Sequence, residues 1–457
     1  MTVAEHTHTP GHEETGDADP LAALQGFLTT PDYDALTKCV HCGLCLNVCP
    51  TYRQNGLEAD SPRGRLYLMR AVAEGNLDFS DEVNDHLQLC LQCRACETAC
   101  PSNVHFGQVM EGARANILEQ ESTPLRRMLN WAVFSQLFAY PARLVLLGML
   151  LRSYQRSGLQ AIVRWATSQS WVPQQLRLME QMLPQLSTHF FSAPPGEVVA
   201  AQGDRRYRVG MIGGCIMPLA FADTNEATVR VLTANGCDVV IPEAQRCCGA
   251  LQAHAGAQEE ARRVARVNVD AFEPWDLDAI IINAAGCGAA LKEYDWLLAD
   301  DPAYSDRAQQ FSQKVEDVSE FLARVGLTTP LGAVERKITY DDPCHLVHGQ
   351  RVSLQPRALL SMIPGLDYVE LRDADRCCGS AGIYNILQPD MSMRVLDDKT
   401  EAILESGAET IITANPGCLI QINAGLQQAR HAASAVHIVD LLDESILAGQ
   451  REQSAAG

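Results

Sequence analysis

The sequence has no excess of positive charge, no export-type leader, no unbroken apolar run and no dinucleotide fingerprint, and each absence narrows its chemistry. Its 457 residues carry 36 basic and 56 acidic side chains, a formal charge of −20, which argues against nucleic acid as a partner. The first twenty residues, "MTVAEHTHTPGHEETGDADP", are polar and acidic, so 1–30 is expected to be a disordered tail in which His6, His8 and His12 are solvated. Without an export signal the expected setting is the reducing cytoplasm, where 17 cysteines mean metal or redox chemistry rather than staples. The run "WAVFSQLFAYPARLVLLGMLL" (131–151) is interrupted by Pro141 and Arg143, short of the roughly 20 apolar residues that span a bilayer. "GMIGGC" has glycines after a strand but not the G-x-G-x-x-G spacing, so flavin or nicotinamide is not expected on this chain.

What is present is cysteine in a strict order. "CVHCGLCLNVCP" places Cys39, Cys42, Cys45 and Cys49 ahead of Pro50, and "CLQCRACETACP" repeats the run with Cys90, Cys93, Cys96 and Cys100 ahead of Pro101. This is the bacterial ferredoxin spacing, in which three cysteines wrap one [4Fe–4S] cube and the fourth reaches the other. Cys39, Cys42, Cys45 and Cys100 are therefore expected on one cube, and Cys90, Cys93, Cys96 and Cys49 on the second. Paired structural zinc is the lesser alternative, because C-x2-C knuckles also bind zinc. The prolines are expected to start helices. Between the runs, "DSPRGRLYLMR" offers Asp60 or Ser61 as a helix cap, with Arg63 and Arg65 either offsetting cluster charge or simply opening a basic helix. His41 reads as a neighbour of the cluster rather than a ligand.

The second half is duplicated. Cys215, Cys247, Cys248 and Cys287 recur as Cys344, Cys377, Cys378 and Cys418, at an almost constant offset. "RVGMIGGC" answers "KITYDDPC", "CDVVIPEAQRCCG" answers "LDYVELRDADRCCG", and "DAIIINAAGC" answers "ETIITANPGC". Each reads as a strand running into cysteine, so three strand ends deliver thiols to one edge of an α/β sheet. Adjacent cysteines make poor disulfide partners, but a polynuclear cluster offers a different iron to each sulfur. At least one quartet is expected to hold a further iron–sulfur cluster, ahead of the alternative of zinc in both; a cluster in only one repeat stays open. Cys237 lies outside the repeat and reads as structural. His345 follows Cys344, yet its counterpart is Ile216, which speaks against an essential role.

Two ferredoxin-type runs followed by two CCG (cysteine-rich) modules resemble the iron–sulfur subunits of bacterial glycolate oxidase from about residue 30 to the C-terminus. The likeness rests on "CVHCGLC", "CPTY", "SPRGRLYL", "CLQCRACETACPS", "CCGALQAHAG", "GCGAALKEY", "CCGSAGIYNILQPD" and "TANPGCL". It implies an electron-transfer subunit serving FAD-containing partner subunits that oxidise glycolate to glyoxylate, with a quinone as acceptor. No catalytic residue is expected here, because hydroxy-acid oxidation needs a two-electron cofactor and this chain has one-electron candidates. Equivalent subunits for lactate or glycerol 3-phosphate stay open. So does a heterodisulfide-reductase-like thiol–disulfide enzyme, although the first cysteine of that family's closing C-x-x-C is Ala284 in one repeat and Asn415 in the other.

The expected architecture is multidomain: a tail (1–30), an α-helical ferredoxin-type domain for two [4Fe–4S] clusters (31–118), and a helical connector and linker (119–204). Two α/β CCG domains (205–328 and 329–448) and a short tail (449–457) follow. Residues 124–186 hold seven arginines (126, 127, 143, 152, 156, 164 and 177), no lysine and one acid, Glu180. Apolar bulk flanked by arginine suits helices lying on an anionic membrane surface, while packing on the CCG domains or on a partner subunit would use the same residues. The expected location is the cytoplasm, with peripheral contact at the cytoplasmic face of the inner membrane.

Overall fold

The computed structural model describes residues 33–121, 123–167 and 183–456, together with Val172 and Glu180. The tail at 1–30 with its three histidines, and Arg177, lie outside the described residues, as do the side chains of Arg126 and Arg127.

The first unit is helical. Ser61 caps helix Pro62–Ala73 by accepting from the Gly64 N–H, and Pro62 occupies the first turn, where its missing N–H removes nothing. Pro50 opens helix Pro50–Asn55 directly behind Cys49. Pro101 does not behave alike. Asn103 takes a left-handed backbone (φ 49°), the Val104 N–H turns to Cys100 Sγ at 3.5 Å, and the next helix waits until Phe106–Glu121. The connector runs through Pro124–Asn130, a π-helical stretch Trp131–Leu137, then Pro141–Arg156 and Leu159–Thr167. Tyr140 is extended and Pro141 restarts the helix. Among the described residues no single helix is long and apolar enough to cross a membrane, and the segments Met128–Leu137 and Pro141–Arg156 meet at 100°.

The duplication appears as two sheets. The first has order β1-β3-β2-β4-β5, from Val198–Val199 (β1), Tyr207–Met211 (β2), Cys237–Val240 (β3), Ala279–Ile282 (β4) and Val315–Asp317 (β5). The second has order β7-β6-β8-β9, from Arg336–Tyr340 (β6), Leu366–Tyr368 (β7), Thr410–Thr413 (β8) and Ser434–His437 (β9). Strands β2 to β5 pair in parallel as β6 to β9 do, so the repeat read from cysteines holds strand by strand. The exception is β1, an antiparallel edge strand on β3 that the Pro/Gly/Ala composition of 192–204 concealed. Every residue of β4 and β8 is buried, as expected for central strands of a sheet covered on both faces.

The two sheets share one core. Val209, Val239 and Ile281 of the first lie in the same buried cluster as Ile338, Tyr340 and Ile412 of the second. Helices Ala222–Ala234 and Ile438–Ala456 pack across the junction, where Arg230 pairs with Asp443 at 2.7 Å.

Candidate metal centre

None of the 17 cysteines is in a disulfide. In the first CCG domain Cys215, Cys247, Cys248 and Cys287 lie close enough to perturb one another, Cys215 with Cys247, Cys247 with Cys248, and Cys248 with Cys287. The second domain repeats the chain as Cys344, Cys377, Cys378 and Cys418, with Cys378 and Cys418 sulfurs 3.4 Å apart. The last cysteine of each quartet stands on the helix that follows the central strand, Ala285–Lys292 behind β4 and Pro416–Gln428 behind β8. In the helical unit, Cys93 and Cys96 feel the charges of Cys49 and Cys90, and Cys45 feels those of Cys39 and Cys49. Cys39, Cys45 and Cys100 lie against the same helical core, while Cys42 is exposed.

The donor sets fit a thiolate-bound metal group. Burial pushes the thiols of Cys93 and Cys96 far up. The thiols of Cys248, Cys377 and Cys418 are held up first by hydrogen bonds to neighbouring cysteines and then by burial. Hydrogen bonds received from adjacent thiols hold Cys247 and Cys378 low. Four crowded sulfurs cannot all ionise in apolar surroundings without a central cation. Donors also wait on the sulfurs. The Gln92 N–H reaches Cys90 Sγ at 3.3 Å, the Gly379 N–H reaches Cys377 Sγ at 3.4 Å, and Asn415 Nδ2 reaches Cys418 Sγ at 3.5 Å. Gln252 is fully buried beside Cys247, its Oε1 facing that sulfur at 3.9 Å and its Nε2 unpartnered. Asn415, where a related family has cysteine, acts as such a donor rather than as a ligand.

The second ferredoxin loop is driven into the CCG pair. Leu91, Cys93 and Ala95 share a buried cluster with Cys377, Tyr384, Met391 and Val395, and Cys344 is among the charges felt by Cys93. Tyr384 donates to the Leu89 carbonyl at 2.8 Å, and Thr98 Oγ1 bonds His348 Nδ1 at 2.9 Å. On the other side Arg114 donates to the His254 carbonyl at 2.9 Å and to the Cys90 carbonyl at 2.7 Å. Arg94 pairs with Glu97 at 3.0 Å and with Glu293 of the first CCG domain at 2.7 Å. Burial outweighs that cation and raises Glu293 to about 7.

His345, which the repeat comparison ranks low, stands where these parts meet. Its Nε2–H donates to the Gln92 carbonyl at 2.9 Å, and its ring meets His254 edge to face at 5.2 Å. It opens a π-helical turn, His345–Gly349, a local form frequent at functional sites. Burial holds it neutral, at about 3. Its counterpart Ile216 has no ferredoxin loop to meet, which is why the repeat concealed it. Arg65 is likewise fixed: 1 % exposed, it donates to Thr51 Oγ1 at 3.2 Å and to the His86 carbonyl at 2.7 Å, while Thr51 Oγ1 contacts Cys49 Sγ at 3.3 Å. Arg63 lies nearer the surface, bonding Glu58 at 2.5 Å and the His41 carbonyl at 3.0 Å. Cys237 is a buried strand residue whose thiol burial pushes to about 12.

Sequence reasoning passed over one buried charge, Lys399, which pairs with Asp341 at 2.8 Å beneath the second quartet. Burial raises Asp341 to about 6, and Lys399 opposes that rise. In the first domain the equivalent helix position is Asn268, which bonds the Cys247 carbonyl at 3.1 Å. The connector leaves Leu146, Leu150, Ile162 and Trp165 exposed. Its one acid is used internally, Glu180 accepting from Tyr154, Gln160 and Arg164 at 3.0, 3.0 and 3.2 Å.

Comparison with known families matches residues 35–104 to a 4Fe-4S dicluster domain, and residues 209–292 and 338–423 to the cysteine-rich CCG domain. Residues 125–183 match the linker region of the glycolate oxidase iron-sulfur subunit. The "Probable glycolate oxidase iron-sulfur subunit" of Bacillus subtilis is 43 % identical over 92 % of this chain and 96 % of its own length. The glycolate oxidase iron-sulfur subunit of Escherichia coli is 34 % identical over 87 % of this chain and 92 % of its own. Lactate utilization protein A of an Exiguobacterium species is 31 % identical over 52 % of this chain and 98 % of its own.

Proposed function

The chain belongs to the family of glycolate oxidase iron–sulfur subunits, and we propose that it relays electrons in a complex whose FAD-containing partner oxidises glycolate to glyoxylate and whose final acceptor is a quinone. When bound, iron–sulfur clusters supply one-electron transfer between those two sites. The chain's own residues hold, order and shield them. In this reading Cys39, Cys42, Cys45 and Cys100 bind one [4Fe–4S] cluster, and Cys49, Cys90, Cys93 and Cys96 bind the other. Each CCG quartet binds a further cluster or zinc, and no residue of this chain touches glycolate.

The observation that carries the reading is the continuity of thiols across the interface. Cys93 of the second loop lies within electrostatic reach of Cys344 and shares a dry cluster with Cys377. The glycolate relatives align with almost the whole chain, whereas the lactate relative aligns with about half, which favours glycolate over lactate as the partner's substrate. The exposed apolar face of the connector, flanked by the exposed Arg143 and Arg156 while Arg152 turns inward over the Phe190 ring, suits a peripheral position on the cytoplasmic face of the inner membrane, where a quinone resides. The test is anaerobic purification with native partners, then addition of glycolate while iron–sulfur absorption is followed. Bleaching by glycolate but not by lactate or glycerol 3-phosphate is expected. Clusters that dithionite reduces and glycolate does not would refute the assignment. For the membrane contact, Leu146→Asp with Leu150→Asp should abolish sedimentation with anionic vesicles, and unchanged sedimentation would remove it.

A further inference from the structure

The two ferredoxin loops are the same loop twice, and among the described residues only the second is covered. Shifted by 51 residues (Cys90 against Cys39), Val40, His41, Gly43 and Leu44 correspond to Leu91, Gln92, Arg94 and Ala95. The backbones agree in their least common feature: His41 and Gln92 have φ of 55° and 52°, Gly43 and Arg94 have φ of 82° and 65°. What differs is burial. Leu91 and Ala95 are 4 % and 6 % exposed, whereas Val40 and Leu44 are 66 % and 57 % exposed. Cys93 is buried and Cys42 is exposed. In the second loop the covering surface is this chain's own second CCG domain, which brings Cys377, Tyr384, Met391 and Val395 against Leu91, Cys93 and Ala95 and reaches the Gln92 carbonyl through His345. The first loop keeps apolar side chains at the matching positions, and among the described residues nothing lies upon them.

We infer that the face formed by Val40, His41, Cys42 and Leu44 is the docking site of the electron donor, a flavin-bearing subunit, seated on the first loop as the second CCG domain is seated on the second. Three observations select this occupant. The equivalent positions pack against a cysteine-rich domain within this chain, so the loop's apolar pattern already has one use in domain contact. The relatives are each named as a subunit, so a second chain must meet this one. The other large exposed apolar surface, the connector, carries arginines and no cysteine, which fits lipid rather than a redox partner. Arg63 fixes the face by holding the His41 carbonyl at 3.0 Å while paired with Glu58, so the loop is pre-shaped for rigid contact. The inference rests on the proposed flavin-bearing donor.

The experiment uses the cluster-loaded full chain and co-expressed flavin-bearing subunits, made anaerobically. Amide exchange of the unaltered chain should slow at residues 39–46 when those subunits are added, and unchanged exchange there overturns the inference. A photo-cross-linking residue at Leu44 should capture the flavin-bearing chain, while one at Leu354, exposed on the second CCG domain, should not. Capture from 354 instead of 44 overturns it. Val40→Asp with Leu44→Asp should weaken association about 100-fold, the scale of a lost interface anchor, with iron content and the cluster spectrum unchanged. Glycolate-driven bleaching without protection at 39–46 would refute this surface and spare the proposed function. Neither bleaching nor association would refute both.

Discussion

Replacing Arg94 with glycine removes a cation from the domain junction while leaving a backbone that glycine tolerates. Arg94 has φ of 65° and corresponds to Gly43 at 82°, so Arg94→Gly relieves a left-handed non-glycine residue as it deletes the guanidinium. That guanidinium is 2.7 Å from Glu293 and 3.0 Å from Glu97. Glu97 retains the Gly107 N–H at 2.6 Å, but Glu293 is left beside Glu97 and Glu111. Breaking a buried pair costs about 3–5 kcal/mol; Glu293 retains 27 % side-chain exposure, so the lower end applies, and relief at φ returns about 1 kcal/mol. A net loss of about 2 kcal/mol lowers the melting temperature by roughly 4–8 °C for a unit of this size. Arg94→Met, without the backbone relief, should fall further. Glu293 adds a sign. Burial raises it from the usual 4.5 to about 7, so the folded junction binds a proton that the unfolded chain releases. Its contribution is full below pH 4.5 and is lost as pH climbs through 7, at most about 3 kcal/mol. Glu293→Gln should flatten that loss, and Arg94→Gly should move it to higher pH, because Arg94 opposes the rise. Calorimetry of the cluster-loaded protein at pH 5.5 and 8.5 checks both. An Arg94→Gly melt within 1 °C of the parent at both pH values would refute the view that this ion pair holds the ferredoxin loop to the first CCG domain.

Other perturbations read other contacts. Cys49→Ser and Cys93→Ser should erase the same paramagnetic signal, and Cys42→Ser and Cys100→Ser the other; a Cys49→Ser protein lacking the Cys42-dependent signal would break the crossed assignment. Gly256 has φ of 84°, and a Cβ there would sit 2.4 Å from the Arg114 carbonyl oxygen, so Gly256→Ala should cost about 1–3 kcal/mol and speed amide exchange on both sides of that contact. Lys399→Met strands Asp341 under Cys378 and Cys418 and should cost about 3–5 kcal/mol. Iron or zinc bound by the second quartet should fall, while that of the first stays.

The reach of sequence reasoning here follows the distance between interacting residues along the chain. Six strands, the Pro50 helix start and the shared offset of the two quartets are written close to the cysteines, and the Ser61 cap directly before Pro62, so local pattern exposes them. The fate of Pro101 is also local, yet it turns on Asn103 and on a backbone N–H choosing sulfur over the helix, a competition that residue type alone does not rank. His345, Arg94, Arg114 and Tyr384 have partners in another domain, with 253, 199, 140 and 295 residues intervening as sequence separation. Their meaning appears only when the ferredoxin unit is wedged between the two repeats. Comparing the repeats drew attention away from the contacts of His345, because duplication preserves what each copy needs for itself and erases what one copy needs for a neighbour. The first-loop face was hidden by the opposite route. Its apolar residues look like ordinary loop exposure until the second loop shows what such residues do when covered, so pseudo-symmetry is informative where the copies share a shape and differ in burial. The same reasoning applies to Asn268 and Lys399: one framework position carries a neutral amide under the first quartet and a buried cation under the second, so the two quartets hold their contents in different fields and need not hold the same metal.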